Sequence, residues 1–116
     1  MADDLSSTAI IVTREGMGPG PPELQLRLFS SYLHLILENG LKPGAMCFYT
    51  DGVKLLVEGS TVLEQLRELD RRGVSMIVCK TCLDYYNIRE KLQVGIIGGM
   101  ADIQAAQALA SKVIVL

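Results

Sequence analysis

Cys79 and Cys82 are the residues of this chain best suited to covalent chemistry. They stand three apart in Cys79-Lys80-Thr81-Cys82-Leu83-Asp84-Tyr85-Tyr86, directly after the apolar run Val74, Met76, Ile77, Val78. Such a run reads as a buried strand, so the pair sits where a strand ends and a helix begins. An open α/β sheet builds its sites there, outside the carboxyl ends of its strands. A helix starting at Thr81 puts Cys82 in its first turn, where unpaired backbone N–H groups and the helix dipole favour a thiolate. Lys80 adds positive charge beside it and Asp84 works the other way. Cys82 is therefore the expected nucleophile. Cys79 is either its supporting or resolving partner or, as the last residue of a buried strand, only a small apolar side chain.

A Cys-x-x-Cys pair serves three chemistries: thiol–disulfide exchange, carriage of a persulfide on one sulfur, and half of a metal site. Zinc needs about four ligands, and the remaining candidates, Cys47 in another strand and His34 on a polar helical face, fall elsewhere. No metal or other cofactor is expected. Thioredoxin-like exchange also fits poorly, because no proline follows Pro43 to close the site. Tyr85 and Tyr86 either wall the thiols or pack their rings on the sheet. Gly18-Pro19-Gly20 is not a dinucleotide fingerprint: the third glycine is missing, and proline removes an N–H that would hold phosphate. Together with Met17 it forms a lid or subunit contact near the thiols, or a plain connecting loop.

The elements that must position these residues follow from hydrophobic patterning. Residues 1–7 are polar and expected to be loose. Thr8 to Thr13, with Ala9, Ile10, Ile11 and Val12 unbroken, reads as a central buried strand. Three Gly and three Pro among residues 14–22 preclude regular structure, and Pro21 or Pro22 fits a first helical turn. The helix over 23–38 carries Leu24, Leu26, Leu28, Phe29, Leu33, Ile36 and Leu37, an apolar arc wider than one sheet contact needs. It is either deeply buried or packed partly on a neighbouring subunit. Gly40 and Pro43 end it. Ala45 to Tyr49 is the second strand, and Thr50-Asp51-Gly52 turns the chain at the end of the sheet that carries the glycine-rich loop. Val53 to Val57 is a short strand or a helical turn covering the site. A helix starts at Ser60 or Thr61, with Thr61 and Glu64 matching a capping box, and ends at Arg71-Arg72-Gly73. The third strand, 74–79, delivers the thiols. Thr81, with Asp84 reciprocating, caps the next helix or pair of turns, which runs to about Leu92 with Leu83, Ile88 and Leu92 on its inner side. A strand at 94–97, a helix at 102–111 with Ile103, Ala106 and Leu109 inward, and a strand at 113–116 complete the pattern. Helices alternating with short apolar runs specify an α/β fold: a three-layer α/β/α domain around a mostly parallel five-stranded sheet.

With 116 residues the chain reads as one domain, 1–116. Eleven basic against thirteen acidic residues, with no basic block, exclude generic binding to nucleic acid or to an anionic membrane. No run approaches membrane-spanning length and no secretory signal is present. Three cysteines are too few and odd in number for a disulfide scaffold, which points to a cytoplasmic protein with reduced thiols. The hydrophobic share of 49% is high for a small monomer and points to a subunit interface.

From Cys79 to Tyr86, and on through Lys91-Leu-Gln-Val-Gly95, the sequence resembles the DsrE/YchN-like family. It is most similar to the DsrE-like C-terminal domain of YedF-type, sulfurtransferase-like proteins of selenium metabolism. The likeness extends through Asp51-Gly-Val-Lys54, Glu58-Gly-Ser60, Met100-Ala-Asp-Ile103 and Lys112-Val-Ile-Val115, and so over essentially the whole chain. It implies a flavodoxin/Rossmann-like α/β/α fold, a homo-oligomer (trimer or hexamer), and sulfur or selenium relay through persulfidated cysteines at the end of a strand. Cys79 and Cys82 match the family's paired thiols. A separate TusA-like carrier or a desulfurase is the implied partner. Two segments depart from the pattern: Met17-Gly-Pro-Gly-Pro-Pro-Glu23 replaces an expected Met-Gly-Arg-Gly-Asp-Glu-Glu, and Gly98-Gly99-Met100 replaces Thr-Asn-Met. Both bear on substrate handling more than on fold. The function expected is a sulfur carrier or transferase. The alternatives are a non-enzymatic oligomeric binding or structural domain, and a dithiol switch using Cys79 and Cys82.

Overall fold

The computed structural model describes residues 4–116; residues 1–3, part of the stretch expected to be loose, lie outside it. Its strands are β1 (Thr8–Val12), β2 (Ala45–Phe48), β3 (Ser75–Cys79), β4 (Ile96–Gly98) and β5 (Lys112–Val115). Its α-helices are α1 (Pro22–Glu38), α2 (Leu63–Arg71), α3 (Lys80–Tyr85) and α4 (Met100–Leu109), with 3-10 turns at Thr50–Leu56 and Arg89–Lys91. The sheet order is β4-β3-β2-β1-β5, and every pair is parallel. Three steps from β1 to β4 move one way across the sheet, and the last connection returns past β1. Right-handed crossovers therefore put α1, α2 and α3 on one face and α4 on the other. The three-layer α/β/α arrangement is the one the patterning specifies.

All five residues of β1 are buried, because a strand covered on both faces has no polar side to show. Pro22 opens α1, where its missing N–H costs nothing. Phe29, Leu33 and Ile36 of that helix are buried with Leu66 and Leu69 of α2. The two helices are tied by Gln65, whose Nε2 donates to the Ser30 carbonyl at 3.0 Å.

Three local expectations are corrected and one open choice is decided. Residues 4–7 are not loose: Lys42 N–H donates to the Asp4 carbonyl, Gly44 N–H to that of Leu5 and Ser111 N–H to that of Ser7, which fastens the entry to β1 between two loops. Thr61 caps nothing; α2 starts two residues later, and the Val62 N–H goes to Ser60 Oγ. Of the two readings of Val53 to Val57 the helical turn holds: Val53 to Leu56 belong to the 3-10 turn Thr50–Leu56, while Val57 pairs with Leu92 in an isolated antiparallel bridge. Leu109 is 87% exposed, because six residues beyond Ile103 is about 240° round the helix; Ile103 and Ala106 do face inward.

Gly52 fixes how the 3-10 turn meets the sheet. A Cβ there would lie 2.1 Å from the Val12 carbonyl oxygen at the end of β1. Gly52→Ala is expected to cost about 3 kcal/mol of stability through overpacking against backbone, read as a lowered urea midpoint with an unchanged m-value.

Candidate functional site

β3 ends at Cys79 beside Gly98 of β4. The helices that follow these neighbouring strands leave on opposite faces, which opens a crevice outside their carboxyl ends, the end of an open α/β sheet where sites are built. The thiol pair stands at its rim.

Cys79, 3% exposed, is the N-cap of α3, and its Sγ accepts the Cys82 N–H at 3.4 Å. The sequence places the cap at Thr81; the structure places it two residues earlier. Thr81 is exposed, and Asp84, instead of reciprocating a cap, takes Arg89 in a two-pronged pair at 2.7 and 2.6 Å. Contact with Arg89 holds the Asp84 carboxyl below its usual range, helped by Lys80. The first-turn N–H therefore serves Cys79, not Cys82.

Cys82, half-buried, is held from another element. Its Sγ accepts the Thr50 N–H at 3.1 Å. Thr50 stands at φ +50°, a left-handed conformation that side chains other than glycine rarely adopt. Its hydroxyl lies 2.7 Å from the carbonyl oxygens of both Thr13 and Tyr49, which fastens the turn to the ends of β1 and β2. Burial pushes the Cys82 thiol up from its ordinary pKa, and contact with the Cys79 thiol pushes it further, against the pull of the Thr50 N–H. The first-turn expectation of a stabilised thiolate is thus corrected: desolvation and a neighbouring thiol outweigh one backbone donor. Lys80 is exposed and plays no part in this balance.

Tyr86 and Asp51 meet beside the thiols. The Tyr86 hydroxyl donates to Asp51 Oδ1 at 2.5 Å, and Lys54 Nζ lies 3.2 Å from the same oxygen and 4.2 Å from the centre of the Tyr86 ring. The bond to Asp51 pushes the Tyr86 phenol up to about 12, while Tyr86 and then Lys54 hold Asp51 below its usual range. Tyr85 is 82% exposed and meets Tyr86 edge-on at 5.4 Å. Tyr86 and Lys54 also face an open cavity of about 590 Å³ with Glu15, Glu58, Ser60 and Lys91 in its wall; neither thiol lines it.

The glycine–proline loop is bound to α1. Met17 N–H donates to the Gln25 carbonyl at 2.9 Å, and Gln25 Nε2 donates to the Gly18 carbonyl at 2.8 Å. Met17 packs on the core, and of this region only Glu15 and Leu26 reach the cavity. Thr50, Lys54 and Arg89 are the residues that the sequence reading missed. Lys54 was the most accessible of them, standing three residues after Asp51 in a possible helical turn. Among the described residues, no group of three or more His, Cys, Asp and Glu side chains could hold a metal ion.

A family model, DsrE/DsrF-like family, matches residues 18–116. The chain belongs to the DsrE/DsrF-like family. Solved structures similar to this family member include the ychN protein of E. coli, at 22% identity and TM-score 0.65, covering 94% of this chain and 97% of that one. A protein of unknown function from Methanobacterium thermoautotrophicum has 19% identity and TM-score 0.67 over the same shares of the two chains. A conserved protein of unknown function from Bacteroides thetaiotaomicron has 12% identity and TM-score 0.65, with both chains fully covered. At these identities the likeness is one of fold. No curated protein matches the sequence.

The balance of forces on Cys82 sets the pH at which it reacts. Alkylation of Cys82 by iodoacetamide, followed by peptide mass across pH, should rise with a midpoint above the ordinary thiol value of about 8.5, since the neutral form is favoured and only the thiolate attacks. Cys79→Ala should move that midpoint down, because it removes one of the two influences that raise it.

Proposed function

We propose that this DsrE/DsrF-like chain is a sulfur carrier: Cys82 accepts a sulfane sulfur from a donor protein as a persulfide and passes it on. One observation carries the reading. The half-buried Cys82 sulfur, at the carboxyl end of the sheet, is held by a backbone N–H from a second element. A structural cysteine needs no such support. The sulfur stays open to a docking donor, while its raised pKa keeps it mostly neutral and so less prone to indiscriminate oxidation. Tyr86, Asp51 and Lys54 form the polar wall beside it. The resemblance to YedF-type proteins extends the reading to selenium as an alternative cargo, and to a desulfurase or TusA-like carrier as the partner, in the cytoplasm. Among the described residues, no helix is long and apolar enough to cross a membrane.

Incubation with a cysteine desulfurase and cysteine, followed by intact mass, tests this. Wild type should gain the mass of one sulfur atom and Cys82→Ser should gain none; undiminished loading of Cys82→Ser would refute the assignment.

The reading includes a homo-oligomer, a trimer or hexamer. It is supported by Leu24, Leu28 and Leu35, which are 46%, 45% and 54% exposed along one side of α1. Ile96 on the edge strand β4 and Val113 and Val115 on the edge strand β5 are also exposed. Apolar side chains in such groups mark contact surfaces. Light scattering at micromolar concentration should give a multiple of the 12.6 kDa chain mass. Leu28→Glu with Leu35→Glu should shift the mass toward that of the single chain if α1 is the contact.

A further inference from the structure

Two thiols placed in this way can do more than carry sulfur. We propose that Cys79 discharges the persulfide of Cys82, releasing sulfide and closing a Cys79–Cys82 disulfide; this rests on the loading of Cys82 proposed above. The two sulfurs differ in access but not in location. Cys82 is half-buried and Cys79 is 3% exposed, so an external donor meets Cys82, and Cys79 acts from within the chain. The Cys79 side chain folds back over the first turn of α3, with its Sγ 3.4 Å from the Cys82 backbone nitrogen, which keeps both thiols on one helical turn. The Thr50 N–H pins the Cys82 sulfur from a separate element, so the sulfur under attack is fixed. Cys47 lies on β2, is fully buried and has no part in the step.

The step balances without another reagent. Cys79 gives up its proton and its sulfur attacks Cys82 Sγ, forming the disulfide. The bond from Cys82 Sγ to the terminal sulfur breaks, and that sulfur leaves with the electron pair as hydrosulfide and takes up the proton. The sulfane sulfur is reduced by two electrons, and the thiol pair is oxidised by two. Attack at the inner sulfur is favoured by the fixed geometry, since holding both partners on one turn makes the reaction intramolecular. A low-molecular-weight thiol or a dithiol protein would then reopen the disulfide.

The full chain, loaded by a desulfurase and cysteine and then moved to reductant-free buffer, tests the step. Free sulfide and intact mass are followed together, and the product is mapped by proteolysis. Wild type should release sulfide as its added sulfur disappears, ending two hydrogen masses lighter than the reduced chain and linked between Cys79 and Cys82. Cys79→Ser and Cys79→Ala, followed only on the sulfur that each takes up, should lose it more than ~10-fold more slowly, because the intramolecular attacker is gone. Wild type that keeps its sulfur as long as these variants do would overturn the discharge and leave the carrier reading intact. Failure of every protein to load would overturn both. The disulfide map on wild type decides the matter even if neither variant folds.

Discussion

The site depends on one hydrogen bond: the Thr50 N–H on the sulfur of Cys82. It joins the turn after β2 to the helix after β3, and everything around it serves to hold the donor in place. Thr50 adopts φ +50°, which costs a non-glycine residue roughly 1–2 kcal/mol. Strain of that kind persists only where surrounding structure over-determines it. Here the Thr50 hydroxyl reaches carbonyls at the ends of β1 and β2, and Gly52 seats the next turn directly on the Val12 carbonyl. The carboxyl ends of three adjacent strands thus converge on a single sulfur atom.

The electrostatics of the region follow from the same convergence. Bringing the 3-10 turn against α3 places Asp51 under the Tyr86 hydroxyl and Lys54 over its ring. An acid, a phenol and an ammonium are locked together, and the phenol keeps its proton far beyond neutrality. Asp84 and Arg89 then tie α3 to the turn that follows it. Such exposed pairs add little stability one at a time; their effect is to fix the orientation of a six-residue helix too short to be stable alone. Cys82, set among these groups and partly out of water, rests as a neutral thiol. The carrier reading accordingly has the sulfur activated by its donor, not by the resting site.

The sheet is covered unevenly. α1 and α2 close one face, while α4 is, among the described residues, the only α-helix on the other, lying over β2, β3 and β4. Both edge strands keep apolar residues in the open, as does the outer side of α1. Part of the apolar surplus of this chain thus lies outside its core.

The sequence by itself determined the layers, because unbroken apolar runs and helical periodicity depend on neighbours in the chain. β1, α1 and the strand that delivers the thiols lie where the patterning puts them, and the Cys79–Tyr86 stretch does sit at the strand-to-helix junction. Capping was less legible. Thr61 and Thr81 carry suitable side chains, yet α2 has no side-chain cap and Cys79 takes the first-turn N–H of α3, since the entry angle of each helix is set by the sheet beneath it. Leu109 was misjudged because an Ala-rich helix offers several faces of similar apolarity. Tertiary structure alone decided the chemistry of the pair. Thr50 is 32 residues from Cys82 and Asp51 is 35 from Tyr86, and no local pattern encodes contacts at that range. Desolvation, too, belongs to the assembled fold, so the direction in which Cys82 holds its proton was written in the packing and not in its neighbours along the chain.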